Sequence, residues 1–261
     1  MNPFRRRSSS TNSLGINGIS MPEDESALAP TNADPQACYE VFCSHWRQIK
    51  MLLSKQTSTS LFQKSKFSFD EAQAIINYAA QMAYLIVEER PPSEGMIGRM
   101  LEMTINENVM DRLQSWSCTR GGEFTEDLKR ELLRIYELLI AQAKQSVLMH
   151  NAMLNPLLRL LMECHECSEK VEDQLVLLLH QLCVSLSKDP MLLEFLFHAS
   201  PSQGPAKFLL FSLLVPYIHR EGKLGMQARD ALLLCIAVSR EASNIGQYIA
   251  ESTNLCPVSR A

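Results

Sequence analysis

The sequence predicts an all-α protein, and three observations lead to that fold class. Apolar residues make up 46% of the 261 residues, which is enough for a sizeable buried core. Only 10 glycines and 12 prolines are present, fewer turn residues than a sandwich of short strands needs. Apolar side chains recur at three- and four-residue spacing along most of the chain, and no segment has a convincing β-hairpin signal.

The first 35 residues differ from the rest of the chain. They are rich in Ser, Asn, Pro and Gly and show no apolar periodicity. Such a composition buries too little apolar surface to offset the entropy of ordering, so we expect residues 1–35 to form a disordered tail. The arginines at residues 5–7 make Ser8 a candidate phosphorylation site or could contact an acidic membrane surface. A merely solvated tail is the favoured interpretation, because three arginines are fewer than the basic clusters that bind lipids contain.

The first two helices are predicted by their starts and stripes. Asp34 can accept hydrogen bonds from free backbone N–H groups, and Pro35 has the φ angle of a first helical turn. Ser68 and Glu71 have the spacing of a reciprocal capping box, and the prolines at 91–92 are expected to end the second helix. The two apolar stripes are Val41, Phe42, Trp46, Ile49, Leu52 and Leu53, then Ala72, Ile75, Ile76, Ala79, Met82, Ala83 and Ile86.

Weaker signals mark the middle of the chain. Short helices are expected at residues 97–105 and 109–116, before a break at the glycines 121–122. Thr125 is the expected cap of the following helix. Its stripe is Leu128, Leu132, Ile135, Leu138 and Leu139.

The C-terminal half repeats the pattern of a cap followed by an apolar run. Asn155-Pro156 is the expected start of one helix, and Ser168 is the expected cap of a long helix that ends near Leu186. Asp189-Pro190 repeats the cap-then-proline arrangement. The remaining predicted helices cover residues 192–197, 208–218, 226–238 and 245–249.

About eleven helices are therefore expected, and their pattern indicates how they pack. Residues 175–186 and 231–238 are apolar on more than one face, so neighbours must cover these helices on both sides. We predict an irregular armadillo- or HEAT-like α-solenoid of antiparallel helices over residues 36–258, with 259–261 as the C-terminal end. A compact irregular bundle is the alternative, and the lack of a strict repeat excludes tetratricopeptide and ankyrin arrays.

Charge and apolar run length exclude several classes of protein. A formal charge of −4 provides no excess of cations to neutralise phosphates, so nucleic acid is not an expected partner. The longest apolar runs fall short of about 20 residues, so no membrane-spanning segment is expected. The basic start is followed by serines where a secretory signal needs an apolar run, which favours a reducing compartment for the eight cysteines.

Metal-ligating residue types occur at one place at permissive spacing. Cys164, Cys167, His180 and Cys183 form C-x-x-C and H-x-x-C pairs that can supply soft ligands to zinc. Such pairs also arise whenever small apolar cysteines share a helical face with leucines, and core packing is the favoured interpretation. We therefore expect no bound metal.

Signatures of catalysis and of cofactor binding are missing from the sequence. The nucleophile motif G-x-S-x-G, the phosphate loop G-x-x-x-x-G-K-[ST] and the dinucleotide motif G-x-G-x-x-G do not occur. Carboxylate pairs such as Glu88-Glu89, or Glu163 with Glu166, are expected on solvated helix faces. The sequence thus predicts neither an enzyme nor a cofactor.

One polar segment lies between two strongly apolar helices. It carries the candidate residues His219, Arg220 and Glu221, and glycines at 222 and 225 predict a tight turn there. We expect Arg220, Glu221, Arg229 and Asp230 to form a network that holds this turn. The alternative is that these residues form a partner surface, since rigidly held loops often carry recognition.

The same region carries a family resemblance. FLLFSLLVPYIHREG at 208–222 and GMQARDALL at 225–233 resemble the FTS and Hook-interacting proteins, also called the retinoic-acid-induced-16-like family. Further similarity lies at residues 38–46, 108–116, 181–190, 197–198 and 254–258, so that the resemblance covers roughly residues 36–258. The chain is most similar to the endosomal branch of that family.

The resemblance implies a helical, non-enzymatic adaptor without a cofactor. Such adaptors join Hook proteins to FTS, a catalytically dead relative of ubiquitin-conjugating enzymes. The resulting complexes connect endosomal or vesicular cargo, recognised through a Rab GTPase, to dynein on microtubules. A cytoplasmic protein with peripheral association to endosomes or vesicles is therefore expected. Because family members are much longer than 261 residues, the chain is expected to be a fragment, a truncated gene model or a short isoform.

Two alternatives to the Hook adaptor are left open. One is a stand-alone armadillo-like protein that binds peptides. The other is a zinc-dependent regulator that uses Cys164, Cys167, His180 and Cys183.

Overall fold

Nine α-helices and no strand occur in the part of the chain that the computed structural model describes, namely residues 34–55, 68–93, 95–120, 124–164, 167–189, 192 and 209–239. The helices are α1 Pro35–Lys55, α2 Phe69–Glu88, α3 Arg99–Asn106, α4 Val109–Arg120, α5 Thr125–Gln142, α6 Asn151–Glu163, α7 Glu169–Lys188, α8 Leu209–Leu214 and α9 Gly222–Ser239. Short 3-10 turns, Val147–Met149 and Val215–Tyr217, precede α6 and follow α8. The predicted all-α class is confirmed.

Some expectations fall outside the described residues. They concern the tail at residues 1–33 with Ser8, the glycines 121–122, the end at 259–261 and two of the eleven predicted helices, namely 245–249 and all of 192–197 except residue 192. The other nine predicted helices correspond to α1–α9. All nine helices belong to one unit, which starts at Pro35.

The first helix starts at Pro35 as predicted, and its apolar stripe is mostly buried. Phe42, Trp46 and Ile49 are completely buried. Val41, in contrast, is 46% exposed. A helix turns by about 100° per residue, so Val41 cannot share the face of its neighbour Phe42.

Two predicted helix caps are wrong in detail. Ser68 is the N-cap residue of α2, but its side chain makes no capping hydrogen bond; its backbone carbonyl accepts from the N–H groups of Glu71, at 3.1 Å, and Ala72, at 3.2 Å. Thr125 is the first residue of α5 and not its cap, which is Phe124. The Phe124 ring lies 5.4 Å from that of Phe69, centroid to centroid. This aromatic contact brings the starts of α2 and α5 together.

The predicted start of a helix at Asn155-Pro156 is also wrong. Helix α6 starts at Asn151 and contains Pro156 in its interior. The carbonyl of His150 accepts from the N–H groups of Met153 and Leu154, at 2.8 and 2.9 Å, which defines the first turn. Pro156 has no N–H for the preceding turn, and its burial in the core offsets that missing bond.

The helices pack in succession. Helix α1 packs on α2, α2 on α5, α5 on α7 and α7 on α9, while α4 and α6 pack on each other and on α5. Helices α5 and α7 therefore have neighbours on two sides, which explains why α7 buries eight side chains from Val171 to Leu186. This succession is consistent with an α-solenoid, and its armadillo- or HEAT-like character stays a prediction.

Glu89, expected on a solvated face, connects three segments. Its carboxylate accepts hydrogen bonds from the backbone N–H of Met100, at 2.9 Å, and that of Leu101, at 3.4 Å. It also accepts from the Gln145 side-chain amide, whose oxygen in turn accepts from the Gly98 N–H at 2.7 Å. The carboxylate thereby satisfies free N–H groups at the start of α3, where a negative charge is favourable.

No helix in the described part of the chain combines the length and the hydrophobicity that crossing a bilayer demands.

Candidate interaction surface at the α8–α9 turn

The segment Ile218–Glu221, called the α8–α9 turn from here on, connects the 3-10 turn after α8 to the start of α9. The N–H of Ile218 donates to the Val215 carbonyl at 3.4 Å, and that of Arg220 donates to the Tyr217 carbonyl at 3.0 Å. Gly222 follows with a φ of +76°, a conformation that glycine adopts at little cost. Helix α9 begins there, about one turn earlier than the predicted start at residue 226.

A second glycine brings α9 against the backbone of the turn. A Cβ atom built at Gly225 would lie 1.7 Å from the carbonyl oxygen of Arg220. No side chain fits at that distance, so glycine at this position allows α9 to approach the turn closely.

Arg229 holds the turn through backbone groups. Its guanidinium Nη1 donates to the carbonyl of Ile218, at 2.8 Å, and to that of Arg220, at 3.3 Å. These carbonyls follow the last helical turn and have no helical partner. One side chain on α9 therefore closes the turn onto its own helix.

Contacts with the start of α7 fix the other side of the turn. Arg220 forms an ion pair with Glu172, whose side chain is 17% exposed against 46% for that of Arg220. The buried Tyr217 places its hydroxyl 3.7 Å from the sulfur of Cys167. Burial holds the pKa of the Tyr217 hydroxyl well above its usual value.

The predicted four-residue network is therefore only half present. Arg220 pairs with Glu172 instead of Glu221, and Arg229 binds carbonyls instead of Asp230. Glu221 and Asp230 are exposed and make no side-chain hydrogen bond or ion pair with any residue that the structure describes. His219 is exposed beside them. The two arginines fix the backbone, and the other three side chains are available to a partner.

A capping carboxylate next to the turn was not found from the sequence. Glu126 of α5 accepts hydrogen bonds from the Ser168 N–H, at 3.1 Å, and the Ser168 hydroxyl, at 2.9 Å. It also accepts from the Lys129 ammonium at 3.1 Å. Burial opposes ionisation, but these hydrogen bonds outweigh it and lower the pKa of Glu126. Ser168 is thus the predicted N-cap residue of α7, but a carboxylate from another helix does the capping.

The four candidate zinc ligands lie in different settings. Cys164 and Cys183 are buried, whereas Cys167 and His180 are half-buried. Burial raises the pKa of Cys164 to about 12, which disfavours the thiolate that zinc binds. No group of three or more His, Cys, Asp or Glu side chains in the described ranges could hold a metal ion. His165 and Glu166 lie outside those ranges.

Comparison with known proteins gives consistent matches along the chain. The family model described as Retinoic acid induced 16-like protein matches residues 100–260. FHF complex subunit HOOK-interacting protein 1A from Homo sapiens is 43% identical over 237 residues, 90% of this chain and 22% of that protein. Its Mus musculus counterpart is 44% identical over the same length and the same shares.

A human relative with a different subunit name gives slightly lower identity. FHF complex subunit HOOK-interacting protein 1B from Homo sapiens is 37% identical over 249 residues, 92% of this chain and 25% of that protein. The chain thus spans about a quarter or less of the length of these three relatives.

Proposed function

This chain belongs to the retinoic acid induced 16-like family, and from that membership we propose that it is an adaptor that binds a Hook protein. The observation that carries the proposal is the match, over nine-tenths of the chain, to relatives named as HOOK-interacting subunits of the FHF complex.

We propose further that the adaptor is not an enzyme. The polar groups around the α8–α9 turn support this, because their hydrogen bonds and ion pairs go to helix ends, backbone carbonyls and oppositely charged side chains. Glu126 caps α7, and Arg229 closes the turn. None of them faces a nucleophile paired with a base, the arrangement that covalent catalysis requires.

The finer proposal concerns the assembly. We propose that the chain also engages the FTS protein and a Rab GTPase, and that it links Rab-marked endosomal or vesicular cargo to Hook and dynein. The protein would act in the cytoplasm with peripheral association to endosomes or vesicles. The support is the resemblance of the turn region to the endosomal branch of the family.

We place one partner contact at the α8–α9 turn. Arg220 and Arg229 fix its backbone from both sides, so a partner would pay little entropy to order it. His219, Glu221 and Asp230 are exposed on that fixed frame. An exposed side chain without an internal partner can be used for recognition at no cost to the fold.

Co-purification from cell lysate followed by mass spectrometry tests this assignment. The full chain carrying an affinity tag is expected to retain a Hook protein together with FTS and a Rab. The double variant His219→Ala/Glu221→Ala is expected to lose at least one of these proteins while its thermal melting is unchanged. The matched control is Arg47→Ala, which removes an exposed side chain from α1.

Three results would contradict the proposal. Retention of neither Hook nor FTS would favour the stand-alone peptide-binding protein. Stoichiometric zinc in the purified chain, found by elemental analysis, would favour the zinc-dependent regulator. Undiminished capture by the double variant would remove the turn from the interaction surface and leave it a purely structural role.

A further inference from the structure

Two cysteines from neighbouring helices meet in the core. Cys183 lies on α7 and Cys235 on α9, and both are completely buried. Their sulfur atoms are 3.0 Å apart. The two cysteines are 52 positions apart in sequence, so this is a tertiary contact and not a consequence of helical periodicity.

This pair differs from three other described cysteines in what each sulfur touches. The sulfur of Cys43 contacts that of Met103, Cys118 donates to the Glu163 carboxylate, and Cys167 faces the Tyr217 hydroxyl. Only at 183 and 235 does a thiol face a second thiol among these contacts. A disulfide needs the sulfurs at about 2.05 Å, so closing it takes a movement of about 1 Å.

We propose that Cys183 and Cys235 form a reversible disulfide under oxidation by a peroxide, and that this bond locks α9 onto α7. In the first step one sulfur attacks a peroxide oxygen, the O–O bond breaks, and a sulfenic acid and water form. In the second step the other sulfur attacks the sulfenic sulfur and expels hydroxide, which takes up the remaining thiol proton. Two thiols and hydrogen peroxide thus give one disulfide and two waters.

Burial makes the first step slow and the second step selective. The S–H contact with Cys235, together with burial, raises the pKa of Cys183, so few thiolates exist at neutral pH. Once a sulfenic acid has formed, the facing sulfur is the nearest nucleophile and bulk water is excluded. The expected product is therefore the disulfide, with little over-oxidation to sulfinic acid.

Locking these helices affects the α8–α9 turn. Helix α9 carries Arg229, which closes the turn, and α7 carries Glu172, which pairs with Arg220. A covalent link between α7 and α9 therefore joins both supports of the turn. The proposal rests on the sulfur contact alone and does not depend on Hook binding.

Peptide mapping of the full chain tests the proposal. Purified protein is treated with hydrogen peroxide, free thiols are blocked with iodoacetamide under denaturing conditions, and tryptic peptides are analysed without reduction. The expected product joins residues 171–188 to residues 230–240 and is lighter than the two peptides together by two hydrogen atoms. Thiol reductants should release it, and the yield should rise with pH.

Variants and a melting experiment complete the test. Cys183→Ala and Cys235→Ala should each abolish the linked peptide, whereas Cys43→Ala should leave it. Oxidation should raise the melting temperature of the wild type by about 5 °C or more, since the link constrains the unfolded chain, and should not raise that of Cys183→Ala.

The proposal is wrong if natively folded, oxidised protein yields both cysteines alkylated, or yields a disulfide of Cys164 with Cys167 instead. It is equally wrong if the linked peptide forms only after the protein has been unfolded in urea.

Discussion

Gly225 is the residue at which the α8–α9 turn leaves no room for a side chain. Gly225→Ala is expected to lower the free energy of unfolding by about 3 kcal/mol, because the new methyl group meets the Arg220 carbonyl and α9 must move. Urea denaturation followed by circular dichroism measures the effect. Gly222→Ala is the matched control: a Cβ there meets nothing within 4 Å, and only the positive φ is penalised, at about 1 kcal/mol. An equal decrease in the free energy of unfolding of the two variants would contradict the packing argument.

Glu89 is a second residue whose role is defined by the tertiary structure. Glu89→Ala leaves the N–H groups of Met100 and Leu101 without their acceptor and is expected to cost about 1–2 kcal/mol of unfolding free energy. Glu88→Ala is the control. Glu88 is exposed, and its ion pair with the exposed Lys144, at 3.7 Å, is expected to contribute little to stability. If the melting temperature fell equally in both variants, the Glu89 carboxylate would contribute nothing as a cap of α3.

These residues show what local sequence cannot supply. Ser68 and Ser168 were placed correctly as N-cap residues because the change from polar to apolar residues marks a helix start. Which group bonds the free N–H groups was not predictable, because Glu89, just after α2, and Glu126 of α5 lie outside the helices whose starts they bond. Nothing in the spacing of a carboxylate indicates that a distant helix start will meet it.

At the scale of elements, α1 is joined to the α3–α4 connection through one carboxylate. Glu107 accepts hydrogen bonds from the Trp46 indole N–H, at 3.0 Å, and from the Lys50 ammonium, at 3.2 Å. These bonds outweigh partial desolvation and lower the pKa of Glu107 in the folded protein. The next residue, Asn108, has a φ of +51° and turns the chain into α4.

This link predicts a pH dependence of stability. A lowered folded-state pKa contributes stability above the unfolded-state value of about 4.3, and that contribution is lost as pH falls through the folded-state pKa. The difference in unfolding free energy between wild type and Glu107→Gln should therefore narrow between about pH 6 and about pH 3. Urea titrations read by tryptophan fluorescence measure it. The role of Glu107 would be contradicted if the difference in unfolding free energy did not change with pH. It would also be contradicted if Glu102→Gln, on the exposed face of α3, gave the same pH dependence.

The junction of α8 and α9 gives the other prediction at this scale. Arg229→Ala removes two hydrogen bonds to carbonyls and is expected to destabilise the protein by about 1–2 kcal/mol. Asp230→Ala is expected to change stability by less than about 0.5 kcal/mol, since Asp230 is exposed and has no partner among the described residues. Differential scanning calorimetry of both variants provides the comparison. If Asp230→Ala destabilised the protein more than Arg229→Ala, the result would support the ion-pair network predicted from the sequence instead.

At the scale of the whole molecule, periodicity predicted most of the fold. The described helices follow runs in which apolar residues recur at three- and four-residue spacing, and α7, apolar on more than one face, has neighbours on two sides. The interior position of Pro156 was missed because burial outweighs its poor helix propensity. The ion pair between Glu172 and Arg220 was missed because its members are 48 residues apart.

The family was predictable for a different reason. The segment from 208 to 233 combines buried helix residues, two glycines required by the turn and the two arginines that hold it. A pattern with that many simultaneous constraints is specific, and the family match over residues 100–260 confirms the resemblance. Contact residues for partners carry no such local constraint, which is why the sequence gives candidates and no assignment.

Direct binding between two purified proteins tests the adaptor role most directly. Isothermal titration calorimetry of the full 261-residue chain with a purified Hook protein requires no other cellular factor. We predict saturable binding at a fixed stoichiometry, weakened by His219→Ala/Glu221→Ala and unchanged by Arg47→Ala. The absence of heat and of co-elution on gel filtration, with a chain whose helical circular dichroism spectrum is intact, would contradict the adaptor role.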